Sequence, residues 1–206
     1  EVADFYFRVD AGRDVIGFAL TDNKNLPKLF KERPVLLLEK VFHEFSNKEI
    51  EIFVAIGYRR MNSLRFDICS LIKKNNFNLA SYLSTKATFW DGLHIGENTF
   101  IFEDNTIQPF SKIGNGVILW SGNHIGHHSV IENWVFVSSH VVISGNCNVG
   151  EFSFLGVNST IADGVNIGKK NLIGPGALIQ KNTYDEEVWL SEKAYKLNRK
   201  SSNFLK

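Results

Sequence analysis

The sequence predicts a small α/β domain followed by a parallel β-helix. Up to about residue 83, strand-like and helix-like segments alternate, which is typical of a small parallel α/β sheet. After that point an aliphatic residue recurs at every sixth position. The composition shifts between residues 80 and 88. We therefore predict an α/β domain at residues 1–82, a β-helix at 83–184 and a tail at 185–206.

Apolar spacing predicts the elements of the first domain. Helical spacing is found at residues 2–9, at 59–74 and in a stretch that ends at Phe45. Short apolar segments that end at polar residues or glycine predict strands at 15–21, 50–56 and 79–83, with a further apolar segment at 34–38. Strands that alternate with helices in this way favour one small parallel sheet.

A repeat of six residues predicts the second domain. Every sixth residue from Ile95 to Ile179 is Ile, Leu or Val, which makes 15 consecutive matches, and Leu83 and Phe89 extend the series to 17. Four positions after each of these comes a smaller residue such as Ser111. Such hexads are typical of a parallel β-helix, in which the aliphatic side chain points inward. We expect the α/β domain to cover one end and part of the tail to cover the other.

Composition narrows the classes of partner and compartment. The chain has 23 basic and 22 acidic residues, so no strong field favours nucleic acid or an anionic membrane. Its two cysteines, Cys69 and Cys147, lack metal-binding spacing, and we expect buried thiols in a reducing cytoplasm and no metal. No apolar run approaches the roughly 18 residues that would cross a bilayer. A soluble, cytoplasmic protein is expected.

Three segments of the β-helix resemble a known family. They are WSGNHIGHHSVIE at 120–132, SSHVVISGN at 138–146 and FLGVNSTI at 154–161. With the upstream segment VAIGYRR at 54–60, they resemble the NeuD/PglD-type hexapeptide-repeat acyltransferases, bacterial enzymes that acetylate sugars for surface glycans. The resemblance implies a Rossmann-like domain, a left-handed parallel β-helix and a homotrimer. Family members open with a strand and a glycine-rich loop, whereas here the predicted helix comes first, so we expect the Rossmann-like domain without its first strand.

The resemblance also implies a reaction. It is the transfer of acetyl from acetyl-CoA, a co-substrate, to the amine of a nucleotide-linked sugar, a 4-amino-4,6-dideoxy sugar being the leading candidate. Acetylation of a hydroxyl, as by sialic-acid O-acetyltransferases, remains an alternative. So do a β-helix scaffold without chemistry and a metal enzyme similar to γ-class carbonic anhydrase, although the spacing of the histidines does not fit the latter.

The candidate catalytic residues lie in the middle of the repeat. Four of the six histidines fall between residues 124 and 140, and none occupies an inward column. An imidazole can act as a general base near neutral pH, although a solvated turn histidine remains the alternative. By resemblance, His127 matches the catalytic histidine, and His128 stands where a family member has an acidic residue. Gly145, one coil or 18 residues later, matches the backbone N–H that approaches the acetyl group.

The remaining site residues are candidates by resemblance, as the coenzyme A glycines and Val157 are, or by their charge and position. For coenzyme A they are Gly145, Gly156, Val157, Gly174, Gly176 and Lys169, with Lys170 beside the last. For the nucleotide sugar they are Asp22, Gly57, Tyr58, Arg59, His124 and His140. Ligands do gather at the carboxyl ends of parallel strands, which is where Asp22 and Gly57 are predicted to lie. A solvated lysine pair, and an exposed helix face bearing Arg59, Arg60 and Arg65, are the alternatives.

Overall fold

The computed structural model of the chain describes residues 1–22, 27–47, 49–194 and 196. Residue 195 and residues 197–206, which belong to the predicted tail, lie outside the described residues. Within the described part, no helix is long and apolar enough to span a membrane.

The N-terminal region contains three helices and two small sheets within the described residues. Its elements are α1 (Val2–Val9), β1 (Phe18–Leu20), β2 (Leu29–Phe30), β3 (Arg33–Leu37), α2 (Leu38–Glu44), β4 (Glu51–Ile52), α3 (Ser63–Lys74) and β5 (Asn78–Leu79). Strand β3 pairs in parallel with β1 and antiparallel with β2, while β4 and β5 form a separate parallel pair.

The prediction of a single parallel sheet was therefore wrong in this region. The apolar segment 50–56 pairs with another strand only over Glu51–Ile52, because the chain then turns onto the β-helix, where Val54 N–H donates to Asn98 Oδ1 at 2.8 Å. The predicted strand 79–83 divides in two, since Leu79 pairs with Ile52 and Tyr82 pairs with Phe100 of the β-helix.

The β-helix is built from two-residue strands. They are β6 (Tyr82–Leu83), β7 (His94–Ile95), β8 (Phe100–Ile101), β9 (Thr106–Ile107), β10 (Lys112–Ile113), β11 (Ile118–Leu119), β12 (His124–Ile125), β13 (Val130–Ile131), β14 (Phe136–Val137), β15 (Val142–Ile143), β16 (Asn148–Val149), β17 (Phe154–Leu155), β18 (Thr160–Ile161), β19 (Asn166–Ile167), β20 (Leu172–Ile173), β21 (Leu178–Ile179) and β22 (Val188–Trp189).

These strands form the three faces of a prism. Face 1 contains β6, β8, β11, β14, β17, β20 and β22, face 2 contains β9, β12, β15, β18 and β21, and face 3 contains β7, β10, β13, β16 and β19. The chain passes from face 1 to face 2 to face 3 through turns that form the 1–2, 2–3 and 3–1 edges. Ile125 pairs with Ile107 and with Ile143, so one coil takes 18 residues. The left-handed parallel β-helix predicted from the sequence is confirmed.

The inward column forms the core of the prism. Its aliphatic side chains are fully or almost fully buried from Ile101 to Ile179. Phe89, which the repeat also placed in this column, is 42% exposed, and its hexad contributes only the isolated bridge between Thr88 and Thr106. The six-residue period therefore continues back to Leu83, which packs against the core, while Phe89 does not fill its inward position.

The β-helix also continues beyond the predicted limit at residue 184. Strand β22 pairs with β20, with Trp189 opposite Ile173, so this last coil takes 16 residues instead of 18. Asp185 supports the shorter turn, because its carboxylate accepts a hydrogen bond from Lys169 N–H at 2.7 Å. Trp189 packs against the end of the core. Because this coil is two residues shorter than the others, the six-residue period is lost in the sequence although the β-helix continues.

The N-terminal region packs on face 1 and on the 3–1 edge. Phe7 and Tyr82 join the outward side chains Phe100, Ile118 and Phe136 in one buried cluster on face 1. At the 3–1 edge, Phe66 of α3 contacts the rings of Trp134 and Phe152. No other described residue of the N-terminal region or the tail covers face 2 or the 2–3 edge.

Arg65 joins the two regions from the inside. The sequence allowed it on an exposed helix face, but it is fully buried and donates to the carbonyl oxygens of Gly116, Ile56 and Gly57 at 2.7–3.0 Å. Burial lowers the pKa of its guanidinium to about 10, which leaves it charged at neutral pH. Arg65 therefore holds the loop after β4 against the β-helix.

Candidate active site

His127 lies on the 2–3 edge, in the turn that follows β12. The turn needs glycine at 126, because a Cβ there would lie 2.4 Å from the carbonyl carbon of Ser144 in the next coil. Ser129 Oγ closes the turn by donating to Ser144 O at 2.8 Å. The side chains of His127 and His128 are both exposed outside the prism, as their places in the hexad predict.

Gly145 lies directly against the ring of His127. A Cβ on Gly145 would lie 2.7 Å from Cε1 of His127 and 2.8 Å from its Nε2. The backbones of the two turns are joined by Asn146 N–H, which donates to His127 O at 2.8 Å. In the described part of the chain, the N–H of Gly145 donates to no protein acceptor. The predicted offset of one coil therefore brings a histidine nitrogen and a backbone N–H group together.

His128 contacts the other ring nitrogen of His127. The two Nδ1 atoms are 3.1 Å apart and form a hydrogen bond, in which the protonated Nδ1 donates and the unprotonated Nδ1 accepts. When His127 is the donor, its Nε2 has a free lone pair on the side of Gly145. The ring of His128 in turn packs on Phe110, with centroids 4.7 Å apart. The sequence left the partner of His127 unassigned, and in the structure that partner is His128.

Three neighbours of this site were missed by the sequence reasoning. Gln108 Oε1 accepts from His127 N–H at 2.9 Å, and Phe110 supports His128. Asp163 follows Gly145 by one coil, and its Oδ1 would lie 3.0 Å from a Cβ at Gly145. All three could have been found by stepping through the repeat, since each lies within one residue of a multiple of 18 from His127 or His128.

Cys147 lies behind Gly145 but is not a nucleophile of this site. Burial raises the pKa of its thiol, so the neutral form is favoured at physiological pH. The thiol is within 3.4 Å of Gly145 O and 3.2 Å of Ala162 O, which it contacts as a weak donor. Among the described residues, no group of three or more His, Cys, Asp and Glu side chains is placed to share a metal ion.

Apart from Gly145, the residues predicted for coenzyme A lie on other edges of the same prism. Four of them occupy turns of the 1–2 edge with His140, namely Gly156, Val157, Gly174 and Gly176. His124 lies on face 2, between these turns and His127. Lys169 is on the 3–1 edge, where its Nζ pairs with Glu151 at 3.0 Å, and Lys170 pairs with Glu186 at 3.1 Å. Within one chain, the structure does not bring these residues to His127.

Of the residues predicted for the nucleotide sugar, the four from the N-terminal region lie on the far side of the prism from His127, namely Asp22, Gly57, Tyr58 and Arg59. Asp22 follows β1 at a small cavity of about 200 Å³ that Leu37 and Glu39 also line. The ring of Tyr58 rests on face 1, 5.1 Å from Phe136 and 4.9 Å from Phe154, with Gly57 and the exposed Arg59 on either side. Face 1 is opposite the 2–3 edge, so these residues and His127 do not share a site within one chain.

Comparison with known proteins agrees with this architecture. The family model described as bacterial transferase hexapeptide (six repeats) matches residues 110–145. The fold is similar to a histidine-to-asparagine variant of perosamine N-acetyltransferase from Caulobacter crescentus in complex with CoA and GDP-perosamine, at 21% identity over 81% of this chain and 79% of that chain, with a TM-score of 0.74.

Two further solved structures share the fold. One is the acetyltransferase domain of PglB from Neisseria gonorrhoeae FA1090 in complex with acetyl coenzyme A, at 23% identity over 85% of this chain and 84% of that chain, with a TM-score of 0.75. The other is WeeI from Acinetobacter baumannii AYE, at 20% identity over 84% of this chain and 81% of that chain, with a TM-score of 0.72. At these identities the likeness shows a common fold.

Proposed function

We propose that this chain is an acetyl-CoA-dependent N-acetyltransferase that acts on the amine of a nucleotide-linked sugar, such as a 4-amino-4,6-dideoxy sugar. The observation that carries the proposal is the approach of His127 Nε2 to Gly145. Two proteins with the same fold support the class, because one was solved with CoA and GDP-perosamine and the other with acetyl coenzyme A.

In the proposed mechanism, His127 is the general base. As the sugar amine attacks the thioester carbonyl, Nε2 of His127 takes one of its protons, and a C–N bond forms. The N–H of Gly145 donates to the carbonyl oxygen as negative charge develops there. Collapse of this intermediate breaks the C–S bond, and CoA leaves as a thiol once it receives the proton. His128 Nδ1 accepts from His127 Nδ1–H throughout, which keeps Nε2 available.

The proposed site needs a second copy of the chain. Among the residues that the structure describes, none covers face 2, which displays apolar side chains such as Val142, 40% exposed, and Leu178, 58% exposed. If three copies turn face 2 toward a threefold axis, the 1–2 edge of each copy meets the 2–3 edge of the next. The predicted coenzyme residues Gly156 and Val157 of one subunit then lie beside His127 of another. A homotrimer therefore accounts for the separation of the site residues within one chain.

Lys169 is left out of the proposed site. It lies on the 3–1 edge, which is opposite face 2 and so points away from the axis in this arrangement. Its ammonium group is already paired with Glu151, and this contact raises the pKa of Lys169. Gly174 and Gly176 remain in the proposal, because they continue the 1–2 edge beyond Val157.

A thiol-release assay tests the proposal. The protein is incubated with acetyl-CoA and a panel of UDP-, dTDP- and GDP-linked 4-amino sugars, each beside its 4-hydroxy counterpart. We expect turnover with one amino sugar, and a loss of about 10²–10⁴-fold in His127→Gln. Turnover only with hydroxy sugars would make the protein an O-acetyltransferase. Failure to bind acetyl-CoA would contradict the proposal and favour a scaffold.

A further inference from the structure

A second concavity opens beside α1 at the 1–2 edge, away from His127. It encloses about 480 Å³. Its walls come from α1 and from two successive turns of the β-helix, and they include Phe5, Tyr6, Phe102, Glu103, Trp120 and Ser121. Trp120 and Ser121 open the segment 120–132 that carries the resemblance, but the sequence assigned a ligand to none of these residues. The cavity combines an aromatic wall with two carboxylates, Glu103 and Glu1, of which Glu1 is 3.6 Å from the ammonium of Lys31.

Of the two carboxylates, Glu103 is the one that hydroxyl groups hold in place. Tyr6 OH donates to its Oε2 at 2.7 Å, and Ser121 Oγ donates to its Oε1 at 2.6 Å. Partial burial acts to raise the pKa of Glu103, but the hydroxyls of Ser121 and Tyr6 outweigh it and lower that pKa, so the carboxylate is ionised at neutral pH. Burial and Glu103 raise the pKa of Tyr6 to about 12, which keeps the phenol a donor.

The carboxylate of Glu103 retains capacity for a ligand. Each of its oxygens accepts one hydrogen bond from a hydroxyl, whereas a carboxylate oxygen can accept about two. No lysine or arginine among the described residues comes within 4.0 Å of it. Lys86 acts on Glu103 at longer range, and the ammonium of Lys31 on the cavity wall is 3.4 Å from Asp4 and 3.6 Å from Glu1. A cationic or N–H donor group would complete this site.

The aromatic wall is provided by Trp120. One face of its indole stacks on Phe102, with ring centroids 4.5 Å apart and planes 9° from parallel. The same column continues below Trp120 with Ser138 and Gly156, which carry no ring. Trp120 keeps 37% of its surface exposed. A flat, amphipathic ring such as that of a sugar can pack against such a surface.

We infer that this cavity binds the acceptor amino sugar, with Glu103 accepting a hydrogen bond from the sugar amine and Trp120 packing on the sugar ring. The inference rests on the proposed function. It assigns the choice of an amine over a hydroxyl to the charge of Glu103, because an amine is protonated before reaction and a hydroxyl is not. The bound ammonium first releases one proton to solvent, because only the free amine has the lone pair that attacks, and His127 then removes the second proton, which the attack releases.

The order of the coils supports this assignment. Rotation about a threefold axis parallel to the prism keeps every coil at its own height, and successive coils are about 4.8 Å apart. Ser121 precedes His127 by six residues and Glu103 precedes it by 24, whereas Gly145 follows by 18. The predicted coenzyme residues Gly156 and Gly174 lie further in the same direction as Gly145. The acceptor therefore reaches His127 from the N-terminal side and the thioester from the C-terminal side.

Glu103→Gln tests the inference, because it keeps the size of the side chain and removes the charge. We expect the KM for the amino-sugar nucleotide to rise about 10- to 100-fold, while the KM for acetyl-CoA stays unchanged. The Kd of the amino-sugar nucleotide, measured by calorimetry without acetyl-CoA, should rise by the same factor. Glu97→Gln is the matched control, since Glu97 has the same place in its hexad but pairs with Lys73 on the 3–1 edge.

The outcomes separate the two proposals. If Glu103→Gln turns over with the acceptor KM and Kd of the unchanged protein, the inference is overturned and the acetyltransferase stands. Acceptance of the 4-hydroxy nucleotide sugars as readily as the 4-amino sugars would overturn it as well. If the unchanged protein neither binds nor consumes acetyl-CoA, the proposed function fails first, and the inference fails with it.

Discussion

The ring of His127 rests on the backbone of Gly145, one coil further along the 2–3 edge, with no room for a side chain between them. The contact joins a potential base to a backbone N–H that has no acceptor in the described part of the chain. The two residues are 18 apart in sequence and become neighbours because they follow β12 and β15, which pair with each other. The site is therefore a property of the coil repeat.

Gly145→Ala should reduce activity without unfolding the protein. The new Cβ would lie 2.7 Å from His127 Cε1, and the ring is the end of a flexible side chain that can move away. We expect kcat/KM to fall about 100-fold, because misplacing a catalytic group by about 1 Å has that effect. Steady-state kinetics and a thermal unfolding curve measure the two effects. Unchanged kinetics would remove Gly145 from the site.

His128 should act through His127. His128→Phe keeps a ring on Phe110 but removes the Nδ1 acceptor that lies 3.1 Å from His127 Nδ1. We expect kcat to fall about 10-fold, as for the loss of one net hydrogen bond, with both KM values unchanged. His128→Asn offers an acceptor oxygen and suits the φ of +59° at this position, so it should recover most of the rate. Equal rates in the two variants would argue against this role.

Arg65 should be a major source of stability. Arg65→Met leaves the carbonyl oxygens of Gly116, Ile56 and Gly57 without their donor inside the protein. We expect the free energy of unfolding to fall by about 3–5 kcal/mol in urea titrations. Arg59→Met, at an exposed position, should change it by less than about 0.5 kcal/mol. Similar values for the two variants would contradict the role of Arg65 as a buried anchor.

Asp10 should make stability depend on pH in the acid range. Hydrogen bonds from the Thr85 hydroxyl and from Tyr82 OH, with a further one from Thr85 N–H, lower the pKa of Asp10 to about 2. A lowered folded-state pKa stabilises the protein above the usual value of 3.8, and this contribution is lost as the pH falls toward 2.

The comparison with Asp10→Asn isolates that contribution. At pH 6 the variant should be less stable by about 1–2 kcal/mol, after allowance for partial exposure of the group, and the difference should shrink by pH 2.5. Urea unfolding at fixed protein concentration measures it at both pH values. If the difference in the free energy of unfolding does not change with pH, the loss comes from the hydrogen bonds of Asp10 and not from its charge.

Face 2 should be the surface through which copies associate. Leu178→Glu places a charge on this face, where the leucine is 58% exposed, and we expect it to yield monomers without activity. Val188→Glu is the control, since Val188 is 63% exposed but lies on face 1. Light scattering after gel filtration measures the mass. A trimer that survives Leu178→Glu would place the interface elsewhere.

The β-helix was predictable because its rule is local. Each inward residue is six positions from the next, and the pairing of Ile125 with Ile143 repeats in every coil, so the order of the sequence maps directly onto height in the prism. The same rule predicted the proximity of His127 and Gly145. The repeat alone was misleading at two positions. It predicted the end of the β-helix before Trp189, where one coil is shorter than 18 residues, and it predicted a buried side chain at Phe89, which is exposed.

The α/β region followed no such rule. Strand propensity predicted a continuous strand at 50–56, yet most of that segment runs along the β-helix, because Asn98 provides the partner for the N–H of Val54. Arg65 is polar and lies on a helix, so its sequence favours exposure, but five backbone and side-chain acceptors from four separate places in the chain enclose it. Contacts of this kind depend on partners far away in sequence.

The sequence by itself therefore determined the prism, the height of each residue in it and the pairing of His127 with Gly145, because all three follow from the spacing of the hexads. Only the tertiary structure decided which face the N-terminal region covers. That docking brings Tyr6 to Glu103, 97 residues away, and is directed to face 1 instead of face 2. The physical reason is that docking is determined by the shape and polarity of two assembled surfaces, which no local period in the chain encodes.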